Sequence, residues 1–186
     1  QDLTGLDTRR IRDKGVAYIP SDRLRRGMVG SLRLSRNSVL GMHHHSYFSQ
    51  RGVLLEDIIE KHAEEIIKKY DVRAESVHQP MGSLSGGNQQ KMVVGRELTR
   101  PHSVVIACQP TRGLDVGAAY YIREQILDSR NKGKAVLLIS AELDEILELS
   151  DRIAIIYEGQ VVDVRPTGQF TERELGLLMT GERNGV

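Results

Sequence analysis

The chain has a single cysteine, Cys108, which excludes an internal disulfide framework and a multi-cysteine metal site. It has almost no surplus charge: Lys and Arg total 26, Asp and Glu total 25, and the formal net charge is +1. A general polyanion binder usually carries a clustered basic excess, so nucleic acid is not an expected partner. No apolar run approaches the roughly 20 residues that cross a bilayer. No signal-peptide pattern opens the chain, and it holds no internal repeat or low-complexity linker. What it does have is 186 residues, about one domain, with 39% apolar content, enough to build a core. The expectation is a soluble, cytosolic, globular segment whose function must be read from motifs.

The pattern along the chain predicts α/β architecture. Thr4 to Thr8 reads as a turn into a short helix, and Val16-Ala17-Tyr18-Ile19 as a strand stopped by Pro20. Leu32 to Met42 is weakly helical. Leu54 to Tyr70 is the clearest amphipathic helix, with Leu55, Ile58, Ile59, Ala63, Ile66, Ile67 and Tyr70 at helical spacing. Asp57/Lys61, Glu64/Lys68 and Glu65/Lys69 mark its wet face. A helix then runs from the Gly86-Gly87 pair to Arg100, closed by Pro101. Apolar strands at 103–107, 135–139 and 152–157 alternate with helices at 116–130 and 143–149. Glu158-Gly159 turns into Val161 to Val164, and Thr171-x-x-Glu174 is a capping box opening a last helix. Such alternation predicts a buried parallel sheet covered on both faces.

The most informative stretch is Leu84-Ser85-Gly86-Gly87-Asn88-Gln89-Gln90-Lys91. Ser85 occupies an N-cap position, and the glycines let another molecule approach the backbone. The helix start offers free N–H groups and a positive dipole end, a site for a phosphate. The side chains of Ser85 and Gln89 are expected to add donors. A capped helix after a flexible turn accounts for the same pattern equally well.

Leu84 to Lys91 resembles the signature motif of ATP-binding cassette (ABC) ATPases, in the form found in importers of simple sugars. The resemblance runs through nearly the whole chain. Gln109 to Ala118 is similar to the end of a Walker B strand plus the D-loop, with Asp115 as its acid. Leu138 to Leu143 resembles the switch region, and Ser150 to Gly159 the closing strands. Tyr18-Ile19-Pro20-Ser21-Asp22-Arg23 resembles the Q-loop of the second cassette in tandem sugar or nucleoside importers. The resemblance implies a P-loop NTPase-like, mostly parallel sheet flanked by helices, with a helical subdomain. It divides the chain into 1–31 (β-subdomain and Q-loop region), 32–100 (helical subdomain ending in the signature helix) and 101–186 (the later part of the nucleotide-binding core).

The family's P-loop, G-x-x-x-x-G-K-[ST], does not occur. Gly82-x-x-x-x-Gly87 is followed by Asn88-Gln89, and Gly133-Lys134 by Ala135 without the upstream glycine. In the family the P-loop precedes the Q-loop, so the chain is expected to be a fragment that starts after it, without the P-loop strand. Four further family positions lack their usual groups. Cys108 and Gln109 stand where the family has Asp-Glu, Ala141 where it has the switch histidine, and Ser21 where it has the Q-loop glutamine. A thiol and an amide replace neither a metal-water ligand nor a general base. The resemblance thus implies no catalytic residue here and an inactive fragment. Its implied role is to lend Ser85, Gly86, Gly87, Asn88 and Gln89 in trans to ATP and Mg²⁺ held by a partner cassette, with Asp115 setting the interface. The implied partners are an upstream cassette of the same chain, transmembrane permease subunits and, indirectly, an extracytoplasmic substrate-binding protein. That places the protein peripherally on the cytoplasmic side of the membrane. The family's coupling surface would lie about Ser21 to Tyr70. Leu143 to Ile146, Cys108-Gln109 and Glu174 to Met179 lean towards the nucleoside branch.

Other features read blandly. Consecutive residues do not share a helix face and no nearby Cys or Asp completes a ligand set, so His43-His44-His45 is expected to be a solvated loop without metal. Cys108 is expected to be a buried, inert thiol. Arg23, Arg25 and Arg26 form either a permease-facing patch or a solvated loop. Two rival readings are a cassette ATPase of DNA maintenance, against which the lack of sustained heptads counts, and a structural module without nucleotide contact.

Overall fold

The computed structural model describes residues 2–181. The chain divides into two compact units, Gln1–Ile139 and Ser140–Val186.

In the first unit, strands β1 (Val16–Ile19), β4 (Val104–Cys108) and β5 (Ala135–Ile139) form a parallel sheet in the order β1-β4-β5. Ile19 pairs with Ala107, and Cys108 with Ile139. The short pair β2 (Ser49–Gln50) and β3 (Val53–Leu54) forms a hairpin elsewhere. The helices are α1 (Thr8–Asp13), α2 (Leu34–Ser38), α3 (Glu56–Lys69), α4 (Gly86–Thr99) and α5 (Val116–Asn131). Helix α2 is shorter than the pattern over 32–42 suggests, and Gly41 takes a left-handed φ of 79°, which an α-helix does not tolerate in its interior.

Ala17, Ile19, Val105 and Ala107 are fully buried, clustered with Val93 and Val94 of α4 and Ile122 and Ile126 of α5. The expectation of a sheet covered on both faces needs correction. Along β5 exposure alternates, and Leu137, Ile139 and Tyr18 of β1 stay exposed. Side chains of a strand point alternately to opposite faces, and within this unit α4 and α5 cover one of them. A continuous apolar run does not reveal that difference.

Helix α3 has Glu56 and Asp57 in its first turn and Lys68 and Lys69 in its last, which suits the helix dipole. Its Ile59, Ala63 and Ile66 are buried. It crosses α4 at Gly95, where a Cβ would lie 2.7 Å from Ile66 Cγ2 and 2.8 Å from Tyr70 Cδ2. Glycine is what lets these helices approach so closely. Val39, Met42, Phe48 and Ile59 make a smaller cluster beside α2.

Two polar devices hold the surrounding loops. Buried Asn37 accepts from Val29 N–H at 2.9 Å, and its amide donates to the carbonyls of Val29, Leu32 and Arg33. Glu97 of α4, wholly buried, is hydrogen-bonded by Arg12 of α1 and by Arg96 Nε at 3.0 Å, with Arg100 Nη1 3.7 Å away. Burial would raise the Glu97 pKa, but the Arg96, Arg12 and Arg100 guanidiniums overcome it and hold the carboxyl below its ordinary value.

The second unit holds α6 (Leu143–Leu149), β6 (Arg152–Tyr157), β7 (Gln160–Pro166) and α7 (Glu172–Met179). Strand β6, expected in the parallel sheet, instead pairs antiparallel with β7 as a separate ribbon. The reason is local. Glu158 and Gly159 both have positive φ, 47° and 77°, as a two-residue type I′ hairpin turn requires. Ile153 and Ile155 face a core with Phe170 and Leu175. The capping box forms: Thr171 Oγ1 accepts from Glu174 N–H at 3.2 Å, and Glu174 Oε2 accepts from Thr171 N–H at 2.9 Å.

Candidate functional site

Helix α4 begins at the exposed Ser85, whose extended backbone (φ −61°, ψ 156°) breaks the preceding turn and makes it the N-cap. Its Oγ accepts from Asn88 N–H at 3.4 Å and from Asn88 Nδ2 at 2.9 Å. The first intrahelical bond runs from Gln89 N–H to Ser85 O at 2.9 Å. The N–H groups of Gly86 and Gly87 precede it, so the helix gives them no carbonyl partner. Together with the dipole of a 14-residue helix, they form a surface that accepts an anionic oxygen.

The neighbouring side chains are committed inward. Gln89 is buried and its amide donates to Leu84 O at 3.0 Å, so the side-chain donor expected of Gln89 is not offered outward in this arrangement. Gln90 Nε2 donates to Pro110 O at 2.7 Å, tying α4 to the turn after β4. Asn88 Oδ1 accepts from Arg73 N–H at 2.8 Å. Lys91 Nζ reaches Asp71 Oδ2 at 2.8 Å and lies over the Tyr121 ring at 4.4 Å. Its hydrogen bond holds the Asp71 carboxyl below the usual carboxylate range. These contacts fix α4 and leave Ser85 exposed, with Gly86 and Gly87 half-buried behind it.

Two charged side chains flank that helix start. Asp115, exposed, caps α5 by accepting from Ala118 N–H at 2.9 Å. Its Oδ2 lies 3.6 Å from where a Gly87 Cβ would be. Arg23 donates from Nη1 to Arg112 O at 3.3 Å, and its Nη2 lies 2.7 Å from where a Gly86 Cβ would be. Arg23 was expected only in a patch or a solvated loop. Its place beside Gly86 is a contact across distant sequence with no local signal.

Gly87 has a packing role as well. A Cβ there would lie 2.9 Å from the Ala118 Cβ, which cannot rotate away. Gly87→Ala is expected to force α4 and α5 apart and destabilise the chain by about 1–3 kcal/mol. Urea denaturation checks this; an unchanged midpoint would contradict the contact.

Cys108 ends β4 half-buried, not fully buried as expected. Gln109 follows with φ 46°, its N–H bonded to Ile139 O at 2.7 Å. Both stand at the carboxyl end of the parallel sheet, where open α/β sheets bind ligands. Neither carries a carboxylate, the anionic oxygen group that Mg²⁺ sites usually draw on. Ser21 is exposed after β1 and Pro20. Ala141 is exposed near the start of the second unit. The expectation that no Asp completes a ligand set near the histidines is corrected, because Asp13 of α1 lies against His44 and His45.

No family model matches the chain. It is 43% identical over 179 residues to the guanosine import ATP-binding protein NupO of Bacillus subtilis, covering 96% of this chain and 35% of that one. It is 42% identical to the nucleoside import ATP-binding protein NupA of Lactococcus lactis (97% and 36%) and 42% identical to the glucose import ATP-binding protein TsgD13 of Haloferax volcanii (97% and 33%). The chain thus spans about a third of the length of these curated relatives. Among solved structures, the ATP-binding cassette MJ1267 superposes with a TM-score of 0.73 at 20% identity, over 100% of this chain and 74% of that one. The cassette MJ0796, in a dimer bound to ADP and Pi, gives 0.70 at 22%, over 89% and 70%. Sequence likeness, fold and the Ser85-Gly86-Gly87 helix start agree: the chain belongs to the ATP-binding cassette ATPases, homologous to the ATP-binding proteins of nucleoside and sugar import.

Proposed function

We propose that this chain completes, in trans, an ATP site whose P-loop belongs to a partner cassette, within an importer of nucleosides or simple sugars. The observation that carries the reading is the asymmetry of its groups. At the start of α4, Ser85 is exposed and the Gly86 and Gly87 N–H groups have no acceptor within the helix, while Cys108 and Gln109 carry no carboxylate. The helix start suits a phosphate oxygen, and Cys108 and Gln109 supply no carboxylate to act as general base or as an anionic oxygen ligand to a metal. Phosphoryl transfer asks chiefly for positioning and preorganised donors, and this helix start supplies both.

In this reading Ser85, Gly86 and Gly87 hold the γ-phosphate oxygens when the cassettes close. Asn88 and Gln89 keep the loop in shape through their bonds to Ser85 and Leu84. Asp115 sets the geometry beside Gly87. Mg²⁺ comes bound with ATP on the partner and supplies charge neutralisation there. The partners are the other cassette, transmembrane permease subunits and, through them, a substrate-binding protein, and the protein works at the cytoplasmic face of the membrane. No helix among the described residues is long and apolar enough to cross one. The names of the import relatives favour this reading over one in DNA maintenance.

The test is ATP turnover by the purified chain in Mg²⁺. Turnover at the buffer background is expected. Hydrolysis that follows the chain through purification would defeat the proposal.

A further inference from the structure

The geometry points to a second site, unrelated to nucleotide: we infer that Asp13, His44 and His45 bind a late first-row divalent cation, with Zn²⁺ as the reference ion. Asp13 closes α1, and the two histidines lie in the turns that follow α2. One ligand atom from each lies within 4.8 Å of the others. Asp13 Oδ1 is 3.7 Å from His44 Nε2 and 3.3 Å from His45 Nε2.

These separations suit coordination. Around a tetrahedral ion with bonds of about 2.0–2.2 Å, neighbouring donor atoms stand about 3.3–3.6 Å apart. The third separation, between the two imidazole nitrogens, is bounded at 4.8 Å, and ion binding would draw the donors together. Adjacent histidines converge because they sit in tight turns rather than a regular helix: His45 N–H bonds Met42 O at 2.9 Å, and Phe48 N–H bonds His45 O at 2.9 Å. Their rings meet edge to face, with centroids 4.5 Å apart. His44 is the least exposed of the three, at 19% of its side chain. His43, although adjacent in sequence, lies outside the group.

The donor set selects the ion. Two imidazole nitrogens and one carboxylate suit Zn²⁺, Ni²⁺ or Cu²⁺, whereas Mg²⁺ and Ca²⁺ prefer oxygen alone. Three protein ligands leave positions for water. One group competes: Arg9 Nε stands 4.0 Å from Asp13 Oδ2, on the carboxylate oxygen turned away from the closer imidazole contacts. A bound ion would tie α1 to the segment after α2, beside the Arg12 contact with Glu97.

The experiment titrates the 186-residue chain with Co²⁺, read by visible absorption, and with Zn²⁺, read by calorimetry. One equivalent of each is expected, with Zn²⁺ displacing Co²⁺ and millimolar Mg²⁺ displacing neither. Asp13→Asn, His44→Ala and His45→Ala should each weaken Zn²⁺ binding at least tenfold. His43→Ala should leave it within twofold, and Arg9→Ala should tighten it. Circular dichroism on each variant separates lost binding from lost folding. Absence of a saturable site overturns the inference. So does a pattern in which Asp13→Asn is silent while His43→Ala matches His44→Ala, because the ion would then sit on the histidine run alone. None of these outcomes bears on the ATP reading.

Discussion

Replacing Ser85 by arginine in the full-length protein is expected to cut ATP turnover by on the order of a hundredfold, the scale of removing a preorganised donor to a developing oxyanion. Ser85 sits exposed at the start of α4, and the Gly86 and Gly87 N–H groups lie immediately behind it. An arginine side chain there fills the space a phosphate would need and removes the Oγ that caps the helix. Loss of the cap by itself costs about 1 kcal/mol, so the variant mixes folding with function. Ser85→Asp separates them. Aspartate is as good an N-cap as serine and its charge suits the helix dipole, so the melting temperature should hold or rise. The same charge repels a γ-phosphate, so turnover should fall as far as in Ser85→Arg. Turnover that survives both changes would show that this helix start never meets nucleotide.

The largest stability effect is expected at Glu97. Its side chain is fully buried among Arg12, Arg96 and Arg100, and the last two are themselves nearly buried. Removing one partner of a buried ion pair leaves uncompensated charge and costs about 3–5 kcal/mol. Here Glu97→Ala strands three guanidiniums around one hole. For a chain of this size that corresponds to a fall of about 10 °C in melting temperature. Glu97→Gln keeps the shape and loses the charge, so it should fall between the two.

The same group gives a pH dependence. The Glu97 carboxyl is held below its ordinary pKa in the folded state. Its contribution is therefore fully present above the ordinary glutamate pKa and is lost as pH falls through the depressed folded value. Urea midpoints measured from pH 7 down to pH 3 should fall more steeply in the parent than in Glu97→Ala. Parallel curves would mean that Glu97 does not carry this acid sensitivity.

How much was legible beforehand depends on the range over which each feature is encoded. Strands β1, β4 and β5, helices α3 and α5, and the capping box at Thr171 follow from patterns within one element, and the structure places them within a residue or two. Ser85 as an N-cap is a local signal of the same kind. Gln89 reads as an available donor because a polar residue after a cap is commonly exposed, whereas its position on the buried side of α4 turns the amide to Leu84. An apolar strand names no partner, so the pattern alone adds β6 to the parallel sheet, whereas the Glu158-Gly159 turn pairs it with β7.

The sequence by itself determined the local elements, the capped glycine-flanked helix start and the absence of a carboxylate at Cys108 and Gln109. Those are matters of residue type and of hydrogen bonds a few positions apart. Only the tertiary structure decided that Arg23 stands beside Gly86, that three arginines converge on Glu97, and that Asp13 meets His44 and His45. Such meetings depend on which faces of separate elements pack together, and no short stretch of chain encodes that choice.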